Sequence, residues 1–216
     1  MAERVTASLQ TAADPKRLRI LDGAMKVFLA YGYSRVTMDD IARAADVSRP
    51  ALYLLFRNKA GIYRAIGAML LENSAEQARL ALAGAGPFAE RMLAAIDRSL
   101  IALMKQIMDS PHGAEILDMK NSLAGDLHAV WREQLRSHFT AAIAAEASRN
   151  EIDLAASGLS AQALAELLLD GLEGMKARIS GSEKQSEAAR QLVTVIALAL
   201  RPQDSASTGP VHRARS

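Results

Sequence analysis

The sequence predicts an all-α fold, and three observations carry that reading. Apolar residues recur at helical spacing, as in Ile20, Leu21, Ala24, Met25, Val27 and Phe28. No stretch shows the strict apolar–polar alternation of a half-buried strand. Half of the 216 residues are hydrophobic but only 4% are aromatic, and the dominance of Ala and Leu favours helix over sheet.

The elements follow in order. Residues 1–13 have no periodic apolar pattern and read as a disordered N-terminal tail. Asp14-Pro15 supplies an N-cap followed by Pro at the first helical position, and Gly32 supplies the stop of that helix. Thr37, with Asp40 three residues on, resembles a capping box and opens a second helix running to Ala45. Asp46-Val47 makes a tight turn. Ser48 caps a third helix that ends near Phe56, and Asn58 caps a long fourth one reaching about Ala83. Gly84-Ala85-Gly86-Pro87 is the clearest break in the chain. Pro87 opens a fifth helix to about Asp109, and Ser110-Pro111-His112-Gly113 turns. A short helix is expected from about Ala114 to Ser122, and a longer one from Gly125 to about Arg149. Ser157-Gly158 interrupts, and two last helices cover about 160–179 and 184–200. Residues 201–216 have the composition of a disordered C-terminal tail. The expected domains are 14–64 and 65–200, with their boundary inside the fourth helix or at the break after it.

Composition narrows the function classes. The chain has no cysteine, which excludes disulfides, thiolate metal sites and thiol redox chemistry. Its first eight residues lack the apolar run of a signal peptide. The longest apolar-rich run, Leu192 to Leu200, is too short to span a bilayer. A cytoplasmic protein with no membrane partner is therefore expected. The net charge of +2 conceals an asymmetry. Residues 1–64 carry 11 Lys/Arg against 6 Asp/Glu, whereas residues 65–200 carry 12 against 17. A basic first third on an acidic body points to a polyanionic partner for that third alone, although scatter of a few charges would look the same.

The segment from Thr37 to Lys59 is the most informative. Two short helices joined by a tight turn, the second opening polar and closing apolar, make a helix-turn-helix arrangement. One residue of such a turn often takes φ > 0, and Asp46 occupies that place. Ser48, Arg49, Pro50 and Ala51 then lie on the first turn of the following helix, where they can face base edges. Arg pairs with both acceptors of guanine, and Pro or Ala touches a thymine methyl. Tyr53, one turn later, can reach a phosphate. Lys59 places a cation at a helix N-terminus, against the dipole, and a bound phosphate would account for it. An ordinary helical hairpin with solvated Arg49 and Lys59 is the competing reading.

The pattern Thr37-x-x-x-Ile41-Ala42-x-x-Ala45-x-Val47-Ser48-x-x-x-Leu52-Tyr53-x-x-Phe56-x-x-Lys59 resembles the N-terminal domain of the TetR family of transcription regulators. The likeness covers about residues 15–64. It implies a three-helix helix-turn-helix DNA-binding domain joined by the fourth helix to a C-terminal helical domain for ligand binding and dimerisation. It further implies a homodimer on a palindromic double-stranded DNA operator, released by a small-molecule effector, and most often a repressor. Carried onto matching positions, it gives phosphate contacts to Thr37, Tyr53 and Lys59, and base-facing positions to Arg49, Pro50 and Ser48. Two departures stand out: Asp46 where the family usually has Gly, and Ala60-Gly61 where an acidic residue often follows the Lys.

The C-terminal half is read unaided. Leu164, Leu168, Leu172, Met175 and Ile179 form one helical stripe, and Ala189, Leu192, Val193, Ile196 and Leu200 another. Paired with symmetry mates they would form a four-helix dimer interface, Gly171 and Gly174 allowing close approach; the alternative is intrachain core. Candidate pocket residues are Met104, Met108, Met119, His128 and Trp131, since flexible Met side chains suit adaptable sites, though a Met stripe also serves as plain core. His112, Glu115 and Asp118 have helical spacing but too few ligands for a metal site. There is no nucleophile–base–acid set and no phosphate-binding glycine loop, so neither enzymatic activity nor a cofactor is expected.

Overall fold

The caps written in the sequence are made. Asp14 accepts from Lys16 N at 2.9 Å, Thr37 and Asp40 complete a reciprocal capping box, and Asn58 accepts from Gly61 N at 2.8 Å. The computed structural model describes residues 14–179 and 181–202, the side chains of residues 118–122 excepted. Among these it has α1 (Pro15–Tyr31), α2 (Met38–Ala44), α3 (Arg49–Leu55), α4 (Lys59–Leu82), α5 (Phe88–Ile96), α6 (Ala102–Met108), α7 (Gly113–Arg149), α8 (Ala161–Arg178) and α9 (Ser182–Ala199). The described residues include no strand, and the fold is all-α. The expected tails at 1–13 and, past Pro202, 201–216 lie outside the described residues.

Two details depart from expectation. Residues expected to break a helix near Gly125 instead kink one: Ala124 takes φ −144°, ψ 21° inside α7. The single helix expected over 87–109 carries a π-helical stretch, Asp97–Ile101, between α5 and α6. A π-turn shifts the backbone hydrogen bonds by one residue, so local carbonyls become available to side chains.

The helices enclose two apolar cores. The first is made by Ile20, Leu21, Phe28, Val36, Ile41, Leu52 and Phe56, closed by Ile62, Tyr63 and Ile66 of α4. Close packing of α1 on α2 depends on Gly23, where a Cβ would stand 2.9 Å from the backbone of Ala44 and Ala45. The second core holds Met92, Ile96, Leu135, Phe139, Ile143, Leu168 and Leu172 among others. α4 serves both: Ile62, Tyr63 and Ile66 pack into the first, and Ala75, Ala78 and Leu82 into the second. α7 is shared in the same way about its kink. Ile116, Leu123, Ala124 and Leu127 pack on the first core, whereas Trp131, Leu135, Phe139 and Ile143 pack in the second.

The expected dimer stripes need correction. Leu164, Leu168, Leu172, Met175, Val193, Ile196 and Leu200 are all buried within the single chain. The physical reason is that the widest apolar stripe of each helix is consumed by the second core, against α5 and α7. Leu192 is partly buried, lying over Gly171, where an added Cβ would meet its side chain at 3.0 Å. The large apolar groups that α8 and α9 leave exposed are Leu167, Val195 and Leu198.

Candidate nucleic-acid interface and adjoining cavity

α2, the turn and α3 form a rigid head. Asp46 takes φ 51°, the left-handed conformation expected of it. Its N–H bonds Arg43 O, and Val47 N–H bonds Ala42 O at 3.0 Å, closing the turn. Leu52 is fully buried and anchors α3 from below. Ser48, Arg49, Pro50, Tyr53 and Leu54 are exposed on its other side, and Ala51 is half-buried. Leu54 was not anticipated as a surface group, yet it is 85% exposed. Its signal was available, because it falls outside the buried register of Leu52 and Phe56.

The polar groups of this face are pre-arranged. The Arg49 guanidinium donates to Asp39 Oδ2 at 2.9 Å and lies 5.6 Å from the Tyr53 ring centroid. Asp39 thus holds the arginine at the edge of α3, and both partners stay half-exposed. Ser48 Oγ accepts from Ala51 N at 3.3 Å as a helix cap. The Thr37 hydroxyl and N–H both donate to Asp40 Oδ2, at 2.6 and 2.9 Å. Those bonds draw the Asp40 carboxyl below the usual carboxylate range. A phosphate contact by Thr37 therefore exchanges one of them.

Lys59 is placed differently from the sequence reading. Its ammonium turns inward and donates to the carbonyls of Tyr33 at 2.6 Å, Val36 at 2.7 Å and Ser34 at 3.4 Å. It also sits 4.3 Å from the Tyr33 ring centroid. These acceptors account for a cation at the start of α4 without any bound phosphate. Burial lowers its pKa, while the negative charge of Glu115 acts in the opposite sense.

The head is strapped to the first arm of α7. Ser34 donates to Glu115 Oε1 from its N–H at 2.9 Å and its hydroxyl at 2.8 Å, which hold the Glu115 carboxyl below the usual range. Gly32, at φ 83°, lies against the same carboxylate, and a Cβ there would collide with it. His112 N donates to Leu29 O at 3.3 Å. The Tyr63 hydroxyl donates to Ile116 O at 2.6 Å, and burial raises its pKa. Arg64 reaches Leu123 O and both oxygens of Asp126, at 2.8 and 2.7 Å. The Arg64 hydrogen bonds bring Asp126 down to about 2. His112 and Glu115 are thus structural ties; the side chain of Asp118 lies outside the described residues.

Behind this strap lies a cavity of about 110 Å³ between α4, α6, α7 and α8. Three of the candidate pocket residues, Met104, His128 and Trp131, line it. Met108 does not; it is half-exposed on an adjoining groove. The Met119 side chain lies outside the described residues. Missed were Tyr63, Ile66, Gly67 and Leu70 of α4. That helix carries one apolar stripe, and nothing in its spacing tells which part faces a void. Trp131 ties the wall into a chain of bonds: its Nε1 donates to Ser74 Oγ at 3.0 Å, and Ser74 donates to Ser99 O at 2.6 Å. Ser99 lies in the π-helical stretch, which presents that carbonyl.

Residues 20–66 match the model of the tetR family of bacterial regulatory proteins. Over 92 residues the chain is 34% identical to the uncharacterized HTH-type transcriptional regulator YhgD of Bacillus subtilis (strain 168), covering 43% of this chain and 46% of that one. Residues 20–66 thus match the N-terminal domain of the TetR family. A second match is the HTH-type transcriptional regulator SrpR of Pseudomonas putida, 44% identical over 54 residues, or 25% of each chain. The chain thus spans less than half the length of the curated relatives it matches. Likeness beyond the head is one of fold. The TetR family regulator PfmR from Thermus thermophilus superposes with a TM-score of 0.57 at 22% identity, covering 82% of this chain and 96% of that one. Within the matched segment, Ile41, Leu52 and Phe56 are buried in the first core. No helix among the described residues is long and apolar enough to cross a membrane.

Proposed function

We propose that this chain is a TetR-family transcription regulator that binds a palindromic double-stranded DNA operator as a homodimer and leaves it on binding a small molecule. The observation that carries the reading is the exposed face of α3. A capped, rigid two-helix head presents Arg49, Pro50, Tyr53 and Leu54 outward while Leu52 and Phe56 hold the helix from behind. Arg49 reads a guanine, Pro50 and Leu54 meet thymine methyls, and Tyr53 contacts a phosphate. Ser48, Thr37 and Ala51 flank this face at the edges of the groove. Its similarity to SrpR, an HTH-type transcriptional regulator, supports the reading. Bound at a promoter, such a dimer excludes polymerase, which makes repression the simplest outcome.

Dimerisation is assigned to the face that the single chain leaves uncovered: Leu167 of α8 with Val195 and Leu198 of α9. Gly174 lies along that side of α8 with nothing within 4 Å of an added Cβ, so a second helix can approach closely.

Release follows from the double duty of the first arm of α7. Ile116 and Leu117 line the cavity, while Glu115 and the carbonyls of Ile116 and Leu123 hold the head. A ligand that displaces this arm moves the head and changes the spacing of the two α3 helices. A near-complete switch demands about 5.5 kcal/mol of differential affinity between the two states.

The test is a binding isotherm of the full chain on DNA flanking its own gene, measured at several salt concentrations. Tyr53→Phe should weaken binding to all sequences alike, whereas Arg49→Ala should relax preference at one base position per half-site. Uniform loss in Arg49→Ala would remove its base-reading role, and salt-independent retention of DNA would remove the interface.

A further inference from the structure

The cavity does not end at its apolar wall. Met104, Leu117 and Lys176 line both it and a second, more open hollow formed by the end of α6 and the turn between α8 and α9. The inner space is walled almost wholly by hydrocarbon. Of the polar groups on its wall, the Tyr63 and Ser99 hydroxyls and the Trp131 indole N–H already donate to protein acceptors and His128 has an interaction of its own, so a polar group placed there would find few partners. The outer hollow is of opposite character: Lys105, Asp109, Lys176, Ser182 and Gln185 stand around it. Asp109 already pairs with Lys105 at 2.8 Å. Lys176 has interactions of its own, for which an incoming carboxylate would exchange. The selection comes from the sign of the described rim, two lysines to one aspartate.

We propose that the effector is a single-tailed amphiphile with an anionic head, its tail in the inner cavity and its head in the outer hollow beside Lys176. This rests on the reading of the cavity as the effector site. The two-chambered form carries it, because a compact polar molecule would leave the inner walls uncovered and a pure hydrocarbon would gain nothing from the outer rim. Tail entry between Met104 and Leu117 also presses directly on the first arm of α7, the strap of the head.

Trp131 is the chain's one tryptophan and lines the inner chamber, so its emission reports occupancy without any DNA. The full chain is titrated with octanoate, butanoate and octyltrimethylammonium. Octanoate is expected to bind saturably, one per chain. It should bind roughly two-hundredfold tighter than butanoate, since each of its four additional CH₂ groups is worth about a fourfold gain when buried. It should also bind at least tenfold tighter than the cation. Lys176→Met should erase the preference over the cation. Gly67→Leu, which fills the inner chamber, should abolish binding while leaving helicity intact; Leu103→Phe serves if that variant does not fold. Equal or better binding of octyltrimethylammonium, or octanoate binding untouched by both plugging variants, would overturn the proposal, as would no saturable signal. If octanoate binds as expected but leaves the DNA complex intact, the ligand assignment stands and the release reading fails. If DNA is bound but no amphiphile is, the ligand assignment fails and the DNA-binding reading stands.

Discussion

Glu115 accepts two hydrogen bonds from Ser34, although 81 residues separate them. This pair joins the loop between α1 and α2 to the arm of α7 that also walls the cavity. Because those bonds depress the Glu115 pKa, the folded state favours its ionised form. A depressed carboxyl contributes stability that is present above the unfolded-state pKa and lost as pH falls through the folded one. Hydrogen exchange of residues 32–36 should therefore speed up as pH falls below the ordinary glutamate range, after correction for intrinsic exchange. Glu115→Gln should show the faster rate already at neutral pH. Identical protection in the variant at neutral pH would show that the strap is held by other contacts.

Lys59 grips protein in this structure. Replacing it with Met keeps most of the stem but leaves the carbonyls of Tyr33 and Val36 without their donor. The expected cost is about 1–3 kcal/mol of stability in the absence of DNA, read as a lower urea midpoint at unchanged slope. An unchanged midpoint together with weakened DNA binding would restore the phosphate role.

Ser74→Ala should cost about 1–3 kcal/mol, because it strands the buried Trp131 N–H and frees the Ser99 carbonyl. The accompanying signature is a change in Trp131 emission. Trp131→Phe removes the donor as well, and the double variant should be less destabilised than the sum of the single ones. Strict additivity would show that the two groups are not coupled.

Asp46→Gly should leave the head as stable or stabilise it by up to about 1 kcal/mol, since Gly adopts φ 51° without steric cost. Asp46→Val should destabilise it, as a β-branched residue tolerates that region worst. Thermal unfolding of the three proteins checks the order, and a more stable Val variant would contradict the argument.

The head was legible because its signals are local. Capping residues, the turn position of Asp46 and the register of Ile41, Leu52 and Phe56 all act within a few residues, and the backbone has few ways to satisfy them. The kink at Ala124 was anticipated as a break, since Gly125 weakens the helix, but how far α7 continues depends on what packs beside it. The π-helical stretch had no local signal at all.

Sequence alone determined the all-α class, the helix ends of the head and the helix-turn-helix, through short-range hydrogen bonding and apolar periodicity. It also marked Trp131, His128 and Met104 as groups for a cavity. Only the tertiary structure decided which apolar stripe of α8 and α9 is core and which groups remain outside, because a stripe does not state its partner. Tertiary structure likewise turned Lys59 inward, tied Arg49 to Asp39, and set Glu115 against Ser34. Each of those pairings joins residues distant in the chain, and their geometry follows from packing that no local pattern encodes.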